Sequence, residues 1–455
     1  MTVHERLAAL GTAVPCPLLP RPGTDLSKWA VIACDQFTQD RRYWERVASA
    51  AGDDPSAFHC IFPEAFLEDP GKKERMEKIR QTMEKYLREE LFRSRRGCVY
   101  VERDTPYHSG RKGLLVCLDL ERYDWSAGAA PLIRPTEGTV PERLPVRMDV
   151  RRGAALDLPH ILVLVDDEQD KLLTTLGERA RAGEMLYDTP LMSDSGRVRG
   201  WLLDKEADWE CLAGGLERLA AASLSRYASP AGGSAAFLYA VGDGNHSLAA
   251  AKGVWDEYKK QNGGAGPVSP GDSAGPRWVM VELENLYDPA LAFEPIHRFV
   301  FGAAAEETEK LFAALPGFSL KKLGGTEARP KLLSLVKEKV PQTRFGIIVP
   351  ENVSGQAALF LAETDPLPLA IDRVQPLLDG FVKDRPDLSI DYIHGEEELF
   401  RLAHRSAGAG ILLPPFNKQG LFRTVAERGP LPRKSFSMGE ACEKRFYLEC
   451  RRLFG

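Results

Sequence analysis

Two rhythms of apolar residues alternate along this chain. Short continuous apolar runs close on polar turns, and between them lie longer stretches in which apolar residues return every three or four positions. The first rhythm is that of buried strands and the second that of amphipathic helices. The run Trp29-Ala30-Val31-Ile32-Ala33-Cys34 predicts a strand that ends in Asp35-Gln36, and a helix is expected over 41–51. Residues 72–95 place Met76, Ile79, Met83, Tyr86 or Leu87, Leu91 and Phe92 on one helical stripe opposite a charged face. Segments 98–101 and 113–120 read as a hairpin. A strand over 159–165 leads into Asp166 and Asp167 and then a helix over 168–181, with another helix over 209–227. The strand at 235–241 runs into a helix at 247–258. Further on, strands are expected near 277–284, 344–349, 357–361 and 410–413, and helices near 306–314, 326–339, 371–382 and 440–453. This alternation predicts an α/β fold of mixed α+β character, with mixed sheets flanked by helices in two closely associated domains. The expected division is an N-terminal domain over 1–262, a flexible Gly/Pro/Ser-rich loop over 263–276, and a C-terminal domain over 277–455.

The junction between the strand at 235–241 and the helix that follows concentrates candidate chemistry in Gly242-Asp243-Gly244-Asn245-His246-Ser247. Gly242 and Gly244 permit backbone angles and close approaches that a Cβ forbids. A helix start aims free N–H groups and the positive end of its dipole at whatever occupies the turn, which suits an anion. Asp243, Asn245, His246 and Ser247 then surround it. A plainer role fits the same residues, since Asp243, Asn245 or Ser247 can simply cap the helix.

Three other stretches carry candidates. In Leu132-Ile133-Arg134-Pro135-Thr136-Glu137-Gly138-Thr139, Pro135 and Gly138 fix a loop that gathers Arg134, Thr136, Glu137 and Thr139. An arginine with hydroxyls and a carboxylate suits phosphate binding, metal holding or proton transfer, and equally a closed Arg–Glu lock. Asp35 follows a strand end, where open α/β sheets place ligands, although a lone Asp also organises turns. Asp166 and Asp167 suit magnesium or a helix cap, and His297 reads as a satisfied core histidine.

Composition narrows the classes. Apolar residues at 44% and charged residues at 27% are ordinary globular values. The 60 Lys and Arg are mixed evenly with 65 Asp and Glu, and the net charge of −5 argues against a nucleic-acid partner. With no signal-like layout and no run near the ~20 apolar residues of a membrane span, a cytoplasmic protein with no membrane partner is expected. The eight cysteines are scattered without a C-x-x-C pair, the pattern of reduced thiols rather than a zinc site.

Several phrases, in order, carry a resemblance to the domain-of-unknown-function family ten-fifteen: Ile32-Ala33-Cys34-Asp35-Gln36, Arg134-Pro135-Thr136-Glu137-Gly138-Thr139, Leu158-Pro159-His160, the Gly242–Ser247 turn, Phe293-Glu294-Pro295-Ile296-His297-Arg298, Tyr392-Ile393-His394-Gly395 and Pro432-Arg433-Lys434-Ser435-Phe436-Ser437-Met438-Gly439. Other branches of that family carry Ala-Asp-Gly-His-His-Arg at the central turn. That form is similar to the phosphate-cradling motif of free-serine kinases in the ParB and sulfiredoxin-like superfamily. Asp243, Gly244 and His246 match it, whereas Asn245 replaces a histidine and Ser247 an arginine. The loss of that bidentate donor leaves Arg134, Arg298 or Lys434 to supply positive charge.

The resemblance implies a kinase-like phosphotransferase that uses ATP or ADP with Mg²⁺ and acts on a small hydroxylated metabolite. Asp243, His246 and Glu137 are its expected catalytic residues. Gly242, Gly244, Asn245, Ser247, Arg134 and Thr136 are expected to bind the cofactor, and Asp35 and Asp243 the metal. A non-catalytic sensor of a nucleotide or phosphometabolite is the alternative.

Overall fold

The computed structural model of the chain describes residues 1–126, 128–227, 236–264, 273–350, 357–367 and 369–454. Helices alternate with the strands of two large sheets, so the mixed α/β class holds. Two compact units form, one from Met1–Leu291, Val425–Pro430 and Gly439–Gly455, the other from Ala292–Thr424 and Leu431–Met438.

The first unit is built on a sheet of nine strands among the described residues. In chain order these are Thr12–Ala13 (β1), Cys98–Asp104 (β2), Arg111–Asp119 (β3), Ile133–Pro135 (β4), Leu162–Val165 (β5), Met185–Pro190 (β6), Arg197–Leu203 (β7), Tyr239–Asp243 (β8) and Trp278–Asn285 (β9). Their spatial order is β6-β7-β2-β3-β9-β5-β8-β4, with β1 on β3. The period-two pleat divides the apolar residues between two cores. Tyr100, Leu114, Val116, Val163, Val241 and Val281 pack into one core, which includes apolar residues of the Lys171–Arg181, Glu206–Arg226 and Asn245–Gln261 helices. Val99, Val101, Leu115, Cys117 and Met280 pack into the other, which includes Trp29, Trp44 and Tyr447. Gly253 of the Asn245–Gln261 helix faces the tip of Met148, which belongs to the Leu144–Arg151 helix.

Several expectations are corrected. Residues 440–453 form no α-helix. Ala441–Glu443 make a 3₁₀ turn, Phe446–Tyr447 pair with Val31–Ile32, and Arg451–Arg452 pair with Leu156–Asp157. The reason is a polar residue at every second position: Arg445 pairs with Glu282, Tyr447 with His160, Glu449 with Tyr187 and Arg451 with Asp157. Long-range charge pairing overrides the local helix propensity. The 72–95 helix stops at Arg88, Glu90 takes a positive φ of 52°, and Phe92–Ser94 becomes a strand. Trp29 ends a short helix, Leu26–Trp29, and only Val31–Ile32 are strand. The strand expected over 235–241 is Tyr239–Asp243, and Ala235 lies outside the described residues.

Strand β9 follows the 263–276 segment in sequence yet stands between β3 and β5, in the middle of the first unit's sheet. Residues 265–272 of that segment lie outside the described residues. Every residue of β9 is buried, including Glu282 and Glu284. Arg445 reaches Glu282 and Arg111 stands 3.0 Å from Glu284. Unpaired carboxylates could not remain charged in such surroundings.

The second unit holds Phe293–Phe301 (β10), Ser319–Leu323 (β11), Thr343–Pro350 (β12), Ala357–Thr364 (β13), Ser389–His394 (β14), Gly408–Leu412 (β15) and Phe436–Met438 (β16). Their order is β11-β13-β12-β15-β10-β14, with β16 on β10. No helix among the described residues is long and apolar enough to cross a membrane.

Candidate functional site

At the end of β8 the chain turns on one residue, Gly244, with φ +81° and ψ 25°. A Cβ there would stand 3.0 Å from Ile161 Cγ1, so both backbone angle and space require glycine. The Asn245–Gln261 helix begins at once, and its N-cap residue, Gly244, has no side chain with which to cap it. Its first internal bond runs from the Leu248 N–H to the Gly244 carbonyl at 2.9 Å, leaving the Asn245, His246 and Ser247 amides ahead of that bond. Asp243 does not serve as a cap either. Its carboxylate lies 3.5 Å from Lys444 Nζ, an ammonium whose side chain is only 6% exposed.

The loop after β4 docks on this turn because β4 pairs in parallel with β8, Ile133 opposite Tyr239 and Pro135 opposite Val241. The Thr136 hydroxyl donates to the Val241 carbonyl at 2.6 Å. Asn245 Nδ2 donates to the Glu137 carbonyl at 3.0 Å, and the Val140 N–H donates to His246 Nε2 at 3.2 Å. Thr136, Glu137, Asn245 and His246 are thus brought together. Asn245 Oδ1 is a buried acceptor without a hydrogen-bond partner. Arg134 is directed elsewhere. Its Nε donates to the Pro131 carbonyl at 3.0 Å and its guanidinium lies 4.6 Å over the Phe237 ring, at the end of the strand pair away from the turn. Burial lowers its pKa.

Burial, seconded by the charges of Arg147 and Arg143 and opposed by Asp35, lowers the His246 pKa to about 4. The imidazole is therefore neutral at pH 7, and its Nε2 is already engaged by an amide. That nitrogen is not free to take a substrate proton.

Six further residues complete the site, none singled out as a site residue from the chain alone. His160 Nε2 is 2.8 Å from Ser247 Oγ, and its Nδ1 is 3.1 Å from the Tyr447 hydroxyl. The Cys34 N–H donates to that same phenol oxygen at 3.1 Å. Glu64 pairs with Arg147. Burial first, and then the negative charge of Asp35, raise the Glu64 pKa, against the Arg147 charge. The sixth is Lys444, beside Asp243. A cavity of about 130 Å³ is lined by His160, Ser247, Glu64, Arg147 and Tyr447 and by apolar side chains that include Phe62 and Met83. The phrase Leu158-Pro159-His160 and the alternating polar residues of the tail are signals for His160 and Tyr447. No local pattern points to Glu64 or Lys444.

The Asp35 side chain accepts from Gln36 Nε2 at 3.0 Å. Among the described residues no three His, Cys, Asp or Glu side chains gather into a metal-binding group. Mg²⁺ is commonly held by one or two carboxylates completed by phosphate oxygens and water, so such a group is not a requirement for it. Elsewhere, Asp167 accepts the Leu172 N–H at 2.7 Å and Asp166 is held by Arg226 and Tyr227, both structural uses. In the second unit, Arg298 donates to Gln375 and to the Ile296, His297 and Lys434 carbonyls.

The chain belongs to the family described as "Protein of unknown function (DUF1015)", whose profile matches residues 18–369. No curated protein matches it. Among solved structures, "Free serine kinase in complex with AMP" is similar at 11% identity and a TM-score of 0.37, over 73% of this chain and 90% of that one. A conserved hypothetical protein from Pyrococcus furiosus gives 11%, 0.33, 73% and 90%. "SbnI with C-terminal truncation" from Staphylococcus aureus gives 10%, 0.36, 73% and 87%. At TM-scores this low the likenesses locate no ligand and no residue role here.

Proposed function

We propose that this family member is a nucleotide- and Mg²⁺-dependent phosphotransferase acting on a small hydroxylated metabolite. The observation that carries the reading is the uncapped start of the Asn245–Gln261 helix, which turns on an obligatory glycine and has a buried lysine beside Asp243. Amides ahead of the first helical bond and a nearby ammonium suit phosphate oxygens. Phosphoryl transfer is largely positioning and charge stabilisation, so these groups suffice for much of the work.

In this scheme Gly242, Gly244, Asn245 and Ser247 border the phosphates. Lys444 supplies the cation that Arg134, held on Phe237, does not bring to the turn. Asp243 and Asp35 would hold Mg²⁺, which would neutralise phosphate charge. His246 holds the Val140 amide and so fixes the Thr136–Val140 loop against the helix. A carboxylate takes the substrate proton. Glu64 suits that task because it lines the cavity and burial raises its pKa above the ordinary carboxylate value.

Thermal melts with ATP, ADP, GTP, pyrophosphate and phosphate, with and without Mg²⁺, test the reading. A nucleotide at 100 times its dissociation constant adds about 2.7 kcal/mol, enough for a clear shift. The shift is expected to need Mg²⁺ and to vanish in Asp243→Ala. No shift with any phosphate compound refutes the proposal. Binding without turnover across a panel of alcohols would favour the sensor.

A further inference from the structure

We propose that Ser247 is itself phosphorylated during turnover, so that transfer from a nucleoside triphosphate to the acceptor runs through a phosphoserine. The proposal rests on the nucleotide reading above. Its own observations are a serine–histidine pair and the cavity beside it. Ser247 Oγ lies 2.8 Å from His160 Nε2, and His160 Nδ1 lies 3.1 Å from the Tyr447 oxygen. The Tyr447 and His160 rings meet nearly edge-on, at 80° with centroids 5.6 Å apart. Tyr447 is anchored in turn by the Cys34 N–H, which donates to its oxygen at 3.1 Å. With hydrogen on Nδ1 donated to Tyr447, the Nε2 lone pair faces the serine hydroxyl. This is the arrangement of nucleophile, base and orienting group that activates a hydroxyl.

The contrast with His246 is direct, because an amide occupies its Nε2. Nor is Ser247 the N-cap of its helix, a position that Gly244 holds. Ser247 belongs both to the proposed phosphate turn and to the wall of the 130 Å³ cavity, where His160 and Glu64 also lie. It therefore stands at the junction of donor and acceptor.

In the first step Ser247 Oγ attacks the terminal phosphorus of the triphosphate. A P–O bond forms to serine, the P–O bond to the diphosphate breaks, and the hydroxyl proton passes to His160 Nε2. The nucleoside diphosphate leaves with the bonding pair. In the second step an alcohol in the cavity attacks the same phosphorus and loses its proton to Glu64. The bond to Ser247 breaks, and Oγ recovers a proton from His160.

The first half-reaction needs no knowledge of the acceptor. The full chain is incubated with γ-³²P-labelled ATP and Mg²⁺, and separately with ATP and radiolabelled ADP to follow exchange. The expected result is one phosphoryl group on the peptide containing Ser247 and label exchange without any alcohol. Both should be absent in Ser247→Ala and slowed at least about a hundredfold in His160→Gln. Peptide mass spectrometry of the natural protein locates the label even if a variant does not fold. A melting shift with ATP and Mg²⁺ but neither label nor exchange overturns the phosphoserine and leaves the nucleotide reading standing. Neither shift nor label removes both.

Discussion

Protonation of His246 offers a quantitative check on the site's geometry. The ring is held neutral by burial and by Arg147 and Arg143, with a pKa of about 4 against 6.5 for a free histidine. The folded state therefore binds fewer protons than the unfolded chain between those values, and stability is lost as the pH falls from 6.5 towards 4. A drop of about 2.5 units at 1.36 kcal/mol each sets a ceiling near 3.4 kcal/mol, and solvent reaching the partly exposed ring reduces this to about 1.5 kcal/mol. The perturbation is His246→Gln, which keeps an acceptor for the Val140 amide and removes the titration. Urea unfolding at about pH 7 and about pH 4.5 should show the natural protein losing about 1.5 kcal/mol more than the variant. His297 in the second unit is also depressed to about 4, but it is present in both proteins and cancels. Ring resonances followed by NMR give the midpoint directly. A His246 midpoint at or above 6, or equal losses in the two proteins, would refute this picture of the turn.

Gly244→Ala should cost about 1–3 kcal/mol in urea, from the positive φ and the approach to Ile161. Natural stability would mean that the turn has another shape. Lys444→Met should leave stability within about 1 kcal/mol, since the Asp243 side chain is 23% exposed, yet it should abolish the nucleotide melting shift. Arg111→Met strands the fully buried Glu284, whose pKa burial already lifts to about 7, and should cost about 3–5 kcal/mol near pH 8. Lowering the pH should reduce that cost, because the protonated carboxyl is cheaper to bury; an equal cost at both pH values would argue against an unpaired charge.

Local signals foretold local structure. The strand, glycine turn and helix around Gly244 are visible because apolar runs, glycines and helix formers act within a few residues. The docking of the Thr136–Val140 loop on that turn follows from parallel pairing of β4 with β8, to which the chain gives only the hint of two polar clusters after two short strands. Arg134 misled because its residue type suits phosphate, while its direction was set by Phe237 and the Pro131 carbonyl. The tail from Glu440 onward misled for the opposite reason. Its helix formers are drawn out into extended chain by partners more than a hundred residues away, Glu282 for Arg445 and Asp157 for Arg451 among them. That same tail carries Lys444 and Tyr447 into the site, so the groups hardest to foresee are those that only the long-range fold supplies.

The central claim is that nucleotide phosphate sits on the start of the Asn245–Gln261 helix. Hydrogen exchange by mass spectrometry, with ATP and Mg²⁺ present or absent, tests it most directly. The account predicts slowed exchange in peptides covering Asn245, His246 and Ser247, with little change in the second unit. Unchanged exchange at that helix start under conditions where the nucleotide binds would contradict it and place the phosphate elsewhere.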